Sequence, residues 1–224
     1  MMYKKQKALE LLLAQKLLPL YYHESADVSI AILKAMYEAG IRLVEYTNRG
    51  NNALTNFSSL KQVVDESMPD LLLGIGTVKN SFTALEYIKA GADFIVAPSI
   101  NVEVAKVTHE AGLLWIPGCM TPTEIATAEN AGAAIVKIFP GNLLGPSYIL
   151  SIKELFPGLL LMPTGGVEAE ESNLSEWFDS GVVAVGMGSK LIAKKHINSG
   201  NYKGITETIV NAWALIKKVA DTRR

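Results

Sequence analysis

The sequence predicts an α/β fold, a (β/α)8 TIM barrel with an additional N-terminal helix, and three observations carry that prediction. Short, continuously apolar strands alternate strictly with helical patterns, as a parallel sheet buried on both faces requires. A phrase in which a helix ends on a small residue plus glycine and a strand follows at once recurs at Ala39-Gly40-Ile41, Ala90-Gly91-Ala92, Ala111-Gly112-Leu113, Ala131-Gly132-Ala133 and Ser180-Gly181-Val182. Glycine past a helix C-terminus supplies the left-handed residue that stops the helix, so each phrase marks an α-to-β joint. The wider gaps between these glycines each hide one more joint, before Leu71-Leu72-Leu73 and at Pro157-Gly158-Leu159, which brings the strands to eight.

In chain order, an amphipathic helix over 3–15 opens the chain. Strands follow near 18–22, 42–46, 71–75, 93–97, 113–116, 134–138, 159–162 and 183–186. Helices fall between them, including Ala26–Glu38, Ser81–Lys89, Val102–Glu110 and Pro122–Asn130, and a terminal helix covers roughly 203–220. Thr121-Pro122-Thr123-Glu124 is a capping box with proline at the first helical position, and its role is structural. The rival architecture, an open doubly wound sheet, wants a glycine-rich turn after the first strand, where Pro19-Leu20-Tyr21-Tyr22-His23 stands instead. The reading is one domain over 1–224.

Composition narrows the function. The 224 residues are 49% hydrophobic, and 21 basic against 22 acidic residues leave a net charge of −1 with no long run of either sign. A nucleic-acid partner is therefore not expected. One cysteine, Cys119, excludes an intrachain disulfide and reads as a small packed thiol. The three histidines, His23, His109 and His196, lack ligand spacing, so no metal is expected. The N-terminal apolar stretch is interrupted by Gln15 and Lys16 and no cleavage site follows, which argues against a signal peptide. No apolar run approaches the ~18 residues of a membrane span. These features indicate a cytoplasmic protein. Trp115, Trp177 and Trp213 read as core or interface aromatics.

Candidate chemistry belongs at the C-terminal ends of the strands. Lys137 lies inside Ala133-Ala134-Ile135-Val136-Lys137-Ile138-Phe139-Pro140, otherwise an apolar buried strand. A buried lysine loses hydration, its pKa falls, and the free amine becomes a nucleophile for a carbonyl carbon. On the second strand, period-two alternation puts Leu43, Glu45, Thr47 and Arg49 on one face. Glu45 facing Lys137 reads either as a buried ion pair or as the acid/base partner of a Schiff-base lysine. Arg49 suits bidentate recognition of a carboxylate, its alternative being an ordinary surface arginine. Pro163-Thr164-Gly165-Gly166-Val167 and Gly186-Met187-Gly188-Ser189 follow strands seven and eight, the usual barrel site for a phosphate, with the second at the start of a short helix. Thr77, after Gly74-Ile75-Gly76, can donate to a substrate oxygen or serve as a turn residue. Pro98, in Val96-Ala97-Pro98-Ser99, closes the fourth strand.

Taken in order and spacing, Glu45-Tyr46-Thr47-Asn48-Arg49, Gly74-Ile75-Gly76-Thr77-Val78, Ile116-Pro117-Gly118, Lys137-Ile138-Phe139-Pro140, Pro163-Thr164-Gly165-Gly166 and Gly188-Ser189 resemble the 2-keto-3-deoxy-6-phosphogluconate (KDPG)/4-hydroxy-2-oxoglutarate (KHG) aldolases. These are class I aldolases, which work through a lysine imine and so imply no cofactor, and the likeness runs from Leu18 to about Ile192. The resemblance implies a homotrimer of small barrels acting on a phosphorylated keto acid to release pyruvate. It matches Lys137 to the Schiff-base lysine and Glu45 to the acid/base. Arg49 and Thr77 match the pyruvoyl carboxylate site, and Gly165, Gly166, Gly188 and Ser189 the phosphate site. Thr47, Pro98 and Thr164 join the substrate-binding set. Two departures border the distal half of the substrate: Tyr22 stands near a position where many members carry arginine, and Ala97-Pro98-Ser99 replaces Ser-Pro-Gly. They leave open the gluconate or galactonate form of the substrate, and activity on unphosphorylated 4-hydroxy-2-oxoglutarate. Readings outside this activity are a phosphosugar isomerase or epimerase and a non-catalytic phosphosugar-acid binding protein.

Overall fold

The computed structural model describes residues 2–222. Its elements in chain order are α1 (Met2–Gln15), β1 (Leu17–Tyr21), α2 (Ala26–Glu38), β2 (Leu43–Thr47), α3 (Ala53–Ser67), β3 (Leu72–Gly76), α4 (Ser81–Lys89), β4 (Phe94–Val96), α5 (Val102–Glu110), β5 (Leu114–Ile116), β6 (Gly118–Cys119), α6 (Pro122–Asn130), β7 (Ile135–Ile138), α7 (Gly141–Ile152), β8 (Leu160–Pro163), α8 (Glu171–Asp179), β9 (Val185–Met187), α9 (Lys194–Asn198) and α10 (Tyr202–Asp221). The five glycines of the recurrent phrase, Gly40, Gly91, Gly112, Gly132 and Gly181, have φ between +71° and +94°. Each does end a helix in the left-handed region, as its sequence context required. Gly158 does not; a 3-10 turn over Lys153–Leu155 closes α7 there instead. Several helices begin on side-chain caps. Asn80 accepts from Thr83 N–H, Asn101 from Glu103 and Val104 N–H, and Thr121 with Glu124 forms the expected capping box.

All strand pairing is parallel, in a six-stranded ladder of order β5-β4-β3-β2-β1-β9 and a three-stranded ladder of order β6-β7-β8. The expected eight-stranded wall is thus cut at two seams. At the first, Pro117 has no N–H to give a ladder, so the fifth strand splits into β5, which pairs with β4, and β6, which pairs with β7. Lys137 N–H still donates to Pro117 O at 2.8 Å, which bridges the break. At the second, β8 and β9 meet through the Thr164–Gly186 bridge and a Val183 N–H to Leu161 O bond of 3.1 Å. Counting β5 and β6 as one strand, the ring closes with eight members.

Alternation along these strands sorts residues between two cores. Outward-facing Val44, Tyr46, Ile75, Ile95, Trp115 and Val136 pack under the helices. Inward-facing Leu18, Leu43, Leu72, Phe94, Leu114, Ile135 and Met162 fill the lower interior together with Ala8 and Leu12 of α1. The additional helix therefore closes the N-terminal mouth of the barrel with its own apolar side chains. Buried Asp93 fixes it there, receiving Lys4 of α1 at 3.1 Å, Lys61 of α3 at 3.3 Å and the Leu73 N–H at 3.1 Å. Leu12 is fully buried in this floor. Leu12→Ala is expected to destabilise the fold by about 2–5 kcal/mol, as large-to-small core changes do, read as a lower urea midpoint at unchanged slope.

Candidate active site

The upper interior is built differently from the floor. Glu45, on β2 two residues above Leu43, is 1% exposed and Lys137, on β7 two residues above Ile135, is 6% exposed. Lys137 Nζ stands 3.9 Å from Glu45 Oε1, an ion-pair distance too long for a hydrogen bond. Neither carboxylate oxygen has a hydrogen-bond partner among the described residues. Burial pushes the Glu45 carboxyl above the usual carboxylate range, against the opposing pull of Lys137 and then Arg49. Gly76 makes room for this group, since a Cβ there would overlap Glu45 Oε1. Lys137 Nζ also lies 5.2 Å from the Phe139 ring centroid.

Above this pair a cavity of 850 Å³ opens between the loops after β1, β2, β7, β8 and β9. Of the residues singled out from sequence, Thr47, Arg49, Thr164, Gly165, Gly166, Gly188 and Ser189 line it. Glu45 and Lys137 lie one layer deeper, each two residues before a lining residue, Thr47 and Phe139 respectively. Thr77 and Pro98 do not line the cavity and sit half-buried at the ends of β3 and β4. Thr77 adopts φ +63°, a conformation that costs a β-branched residue about 1–3 kcal/mol and recurs at functional sites.

The glycine loops are rigidly held. Gly165 and Gly166 have φ of +92° and +72°, and Gly166 has no space for a side chain because Asn142 lies against it. The Gly166 carbonyl is occupied by Asn173 Nδ2 at 3.2 Å and Trp177 Nε1 at 3.3 Å. Thr164 Oγ1 is buried without a partner among the described residues. The expected short helix does not begin at Gly188-Ser189. A single turn stands there, with Gly188 O accepting from Leu191 and Ile192 N–H, and α9 starts later. Cys119 is the packed thiol expected, its pKa pushed up to about 12 by burial and then by Glu124. Among the described residues no group of three His, Cys, Asp or Glu is placed to hold a metal ion, and no helix is long and apolar enough to cross a membrane.

Tyr22, His23, Glu168, Lys190 and Lys194 also line the cavity and were not singled out as site residues from sequence. The lysine directly after Gly188-Ser189 was the available signal. The loop holding Tyr22 and His23 is fixed from outside the barrel, where the His23 carbonyl accepts from Tyr46 Oη at 2.9 Å and Asn56 Nδ2 at 3.2 Å.

Comparison with known proteins bears on this arrangement. The family model described as KDPG and KHG aldolase matches residues 9–208. The 2-dehydro-3-deoxy-6-phosphogalactonate aldolase of Escherichia coli (strain K12) is 35% identical over 74% of this chain and 78% of its own length. The 2-dehydro-3-deoxy-phosphogluconate aldolase of Treponema pallidum (strain Nichols) is 30% identical over 85% and 89%. A crystal structure of a 4-hydroxy-2-oxoglutarate/2-dehydro-3-deoxyphosphogluconate aldolase superposes with a TM-score of 0.79 at 30% identity, covering 93% of this chain and 98% of the other. A native KDPGal structure gives 0.81 at 27% identity, covering 92% and 96%. With the barrel, the buried lysine–glutamate pair and these matches in agreement, the chain belongs to the KDPG/KHG aldolase family.

Proposed function

We propose that the protein is a class I aldolase that reversibly cleaves 2-keto-3-deoxy-6-phosphogluconate to pyruvate and glyceraldehyde 3-phosphate, with Lys137 as the Schiff-base residue and Glu45 as the acid/base. The observation that carries this reading is the buried amine 3.9 Å from an unpartnered buried carboxylate beneath an open cavity. A pair serving stability would close to hydrogen-bond distance, and buried pairs rarely add stability in any case. The gap leaves room for a reacting atom or a bridging water.

In the proposed reaction the free-base amine of Lys137 attacks the C2 ketone, and loss of water from the carbinolamine gives an iminium. Glu45, through a water, removes the C4 hydroxyl proton; the C3–C4 bond breaks, and its electrons pass to the iminium to leave an enamine. The aldehyde departs, C3 regains a proton from Glu45, and hydrolysis releases pyruvate and restores the amine. Arg49 and Thr47 are proposed to receive the keto acid, with Thr77 and Pro98 bordering it from β3 and β4. Thr164, Gly165, Gly166, Gly188 and Ser189 are proposed to take the phosphate. The imine serves as electron sink, so this route asks for no metal or organic cofactor. The 35% identity to a phosphogalactonate aldolase favours a second substrate of the same class, the galactonate form, and 4-hydroxy-2-oxoglutarate is the unphosphorylated candidate. The protein is further proposed to be one cytoplasmic domain over 1–224 that assembles as a homotrimer, for which exposed Phe82 and Leu143 supply apolar surface.

Borohydride reduction in the presence of pyruvate is expected to leave a pyruvate-dependent mass adduct on Lys137, and Lys137→Ala to abolish it; an isomerase on this scaffold gives no adduct, and a binding protein releases no pyruvate. Glu45→Gln is expected to lower turnover by about 10² to 10⁴, the usual contribution of an acid/base group.

The acid limb of the kcat profile should lie above the usual carboxylate range and vanish in Glu45→Gln, because the base is the ionised form and burial raises its pKa. Stability carries the opposite sign: the fold holds this proton more tightly than the unfolded chain does. The stability linked to it is full below the ordinary carboxylate pKa and is lost as pH rises through the raised value. Thermal midpoints of Glu45→Gln should therefore gain on the wild type as pH rises above the ordinary glutamate value of about 4.

A further inference from the structure

The anion cradle is divided between the two strands that share the thinner pairing of the barrel, and one ion pair crosses that division over the cavity. Lys190 Nζ lies 2.8 Å from Glu168 Oε2, joining the loop after β9 to the loop after β8. Both main chains are fixed independently of the pair. Glu168 N–H donates to Asn173 Oδ1 at 2.8 Å, and the turn carrying Lys190 is closed by Gly188 O. The clasp is thus not needed to hold either loop. Glu168 is the single carboxylate among the described residues that line the cavity, set beside glycines and an unpartnered Thr164 hydroxyl. Glu168 occupies the Lys190 amine, so an incoming anion reaches that cation only by displacing the carboxylate.

We propose that Lys190 is a specificity-determining contact for the distal phosphate and that Glu168 is its built-in competitor, released to solvent when the phosphate arrives. This deepens the proposed function and rests on it. The exchange is balanced in charge, since a phosphate dianion offers Lys190 a stronger acceptor than a carboxylate does. Glu168 is 36% exposed and regains water when it is left alone. Exposed ion pairs are weak, so the competitor weakens phosphate binding by only a small factor while the lysine keeps its preference for a charged distal group. An intermediate affinity of this kind lets a phosphorylated aldehyde leave after cleavage.

The test compares Lys190→Gln, Glu168→Gln and the double variant. The dissociation constant of inorganic phosphate is read by phosphorus NMR, together with the ratio of kcat/KM on phosphorylated over unphosphorylated keto acid. Glu168→Gln is expected to tighten phosphate by about threefold, in line with an exposed pair. Lys190→Gln is expected to weaken it, and to lower the ratio, by about tenfold, in line with a charge-assisted bond. The double variant should match Lys190→Gln, because the competitor acts only through the lysine. Weaker phosphate binding in Glu168→Gln would show a structural clasp and overturn the inference. An equal gain from Glu168→Gln with and without Lys190 would show a simple field effect and overturn it too, as would an unchanged ratio in Lys190→Gln. The borohydride adduct on the same samples separates the two levels: its absence from the wild type rejects the aldolase, and its presence alongside any of those three results rejects only this exchange.

Discussion

The upper half of this barrel depends on a carboxylate kept away from water. Glu45 is 1% exposed, has no hydrogen-bond donor among the described residues, and meets its nearest opposite charge at 3.9 Å. Desolvation outweighs both cations in setting its ionisation. Burying such a group costs several kcal/mol, and well-packed apolar side chains in its place are often as stable or more so. Its retention therefore makes sense as chemistry. A carboxyl whose pKa is raised by burial can both take and return a proton, which the proposed aldol cleavage asks of Glu45.

The rest of the interior follows from accommodating that group. Below it, α1 and the large inward side chains of β2, β3, β4 and β7 make a buried apolar floor beneath the pair. Beside and above it the inward positions turn to glycine. A Cβ at Gly76 would overlap the carboxylate, one at Gly118 would overlap the Pro98 carbonyl, and one at Gly186 would overlap the Thr164 hydroxyl. Gly118 and Gly186 lie beside the two seams in the barrel pairing, Gly118 next to Pro117 and Gly186 in the bridge to Thr164. The apolar floor carries the fold while the glycine-rich mouth carries the site.

What was legible in the sequence was what local windows determine. The helix-ending glycines, the helices capped by Ser25, Asn80, Asn101 and Thr121, and the alternation that turns Leu43, Glu45 and Thr47 inward all depend on residues within a few positions of one another. The split of the fifth strand was less visible, because Pro117 reads as a strand end until its neighbours on both sides are known. Gly188-Ser189 looked like a helix start because a glycine before a polar residue is common there; the four intervening residues to α9 form a separate turn. Glu168 and Lys190 were missed for a tertiary reason. They are 22 positions apart on two loops, and only closure of the ring brings them to 2.8 Å.

Ring order also explains why the site is an arc and not the whole mouth. Around the barrel β7 is followed by β8, β9, β1 and β2, so Lys137 and Glu45 stand on the two strands that bound this arc, and the loops of the three strands between them form most of the cavity wall. That arc contains the place where the first strand meets the last, with Leu17 paired to Val185 and Pro19 to Met187. The cradle for the distal anion can exist only after those contacts of long sequence separation have formed. Under the proposed function, a nonreacting phosphate held there would orient the scissile bond between amine and carboxylate, so that its binding energy is expressed in the transition state instead of being left in the ground state. Closure of the barrel and assembly of the proposed active site are, on this geometry, a single event.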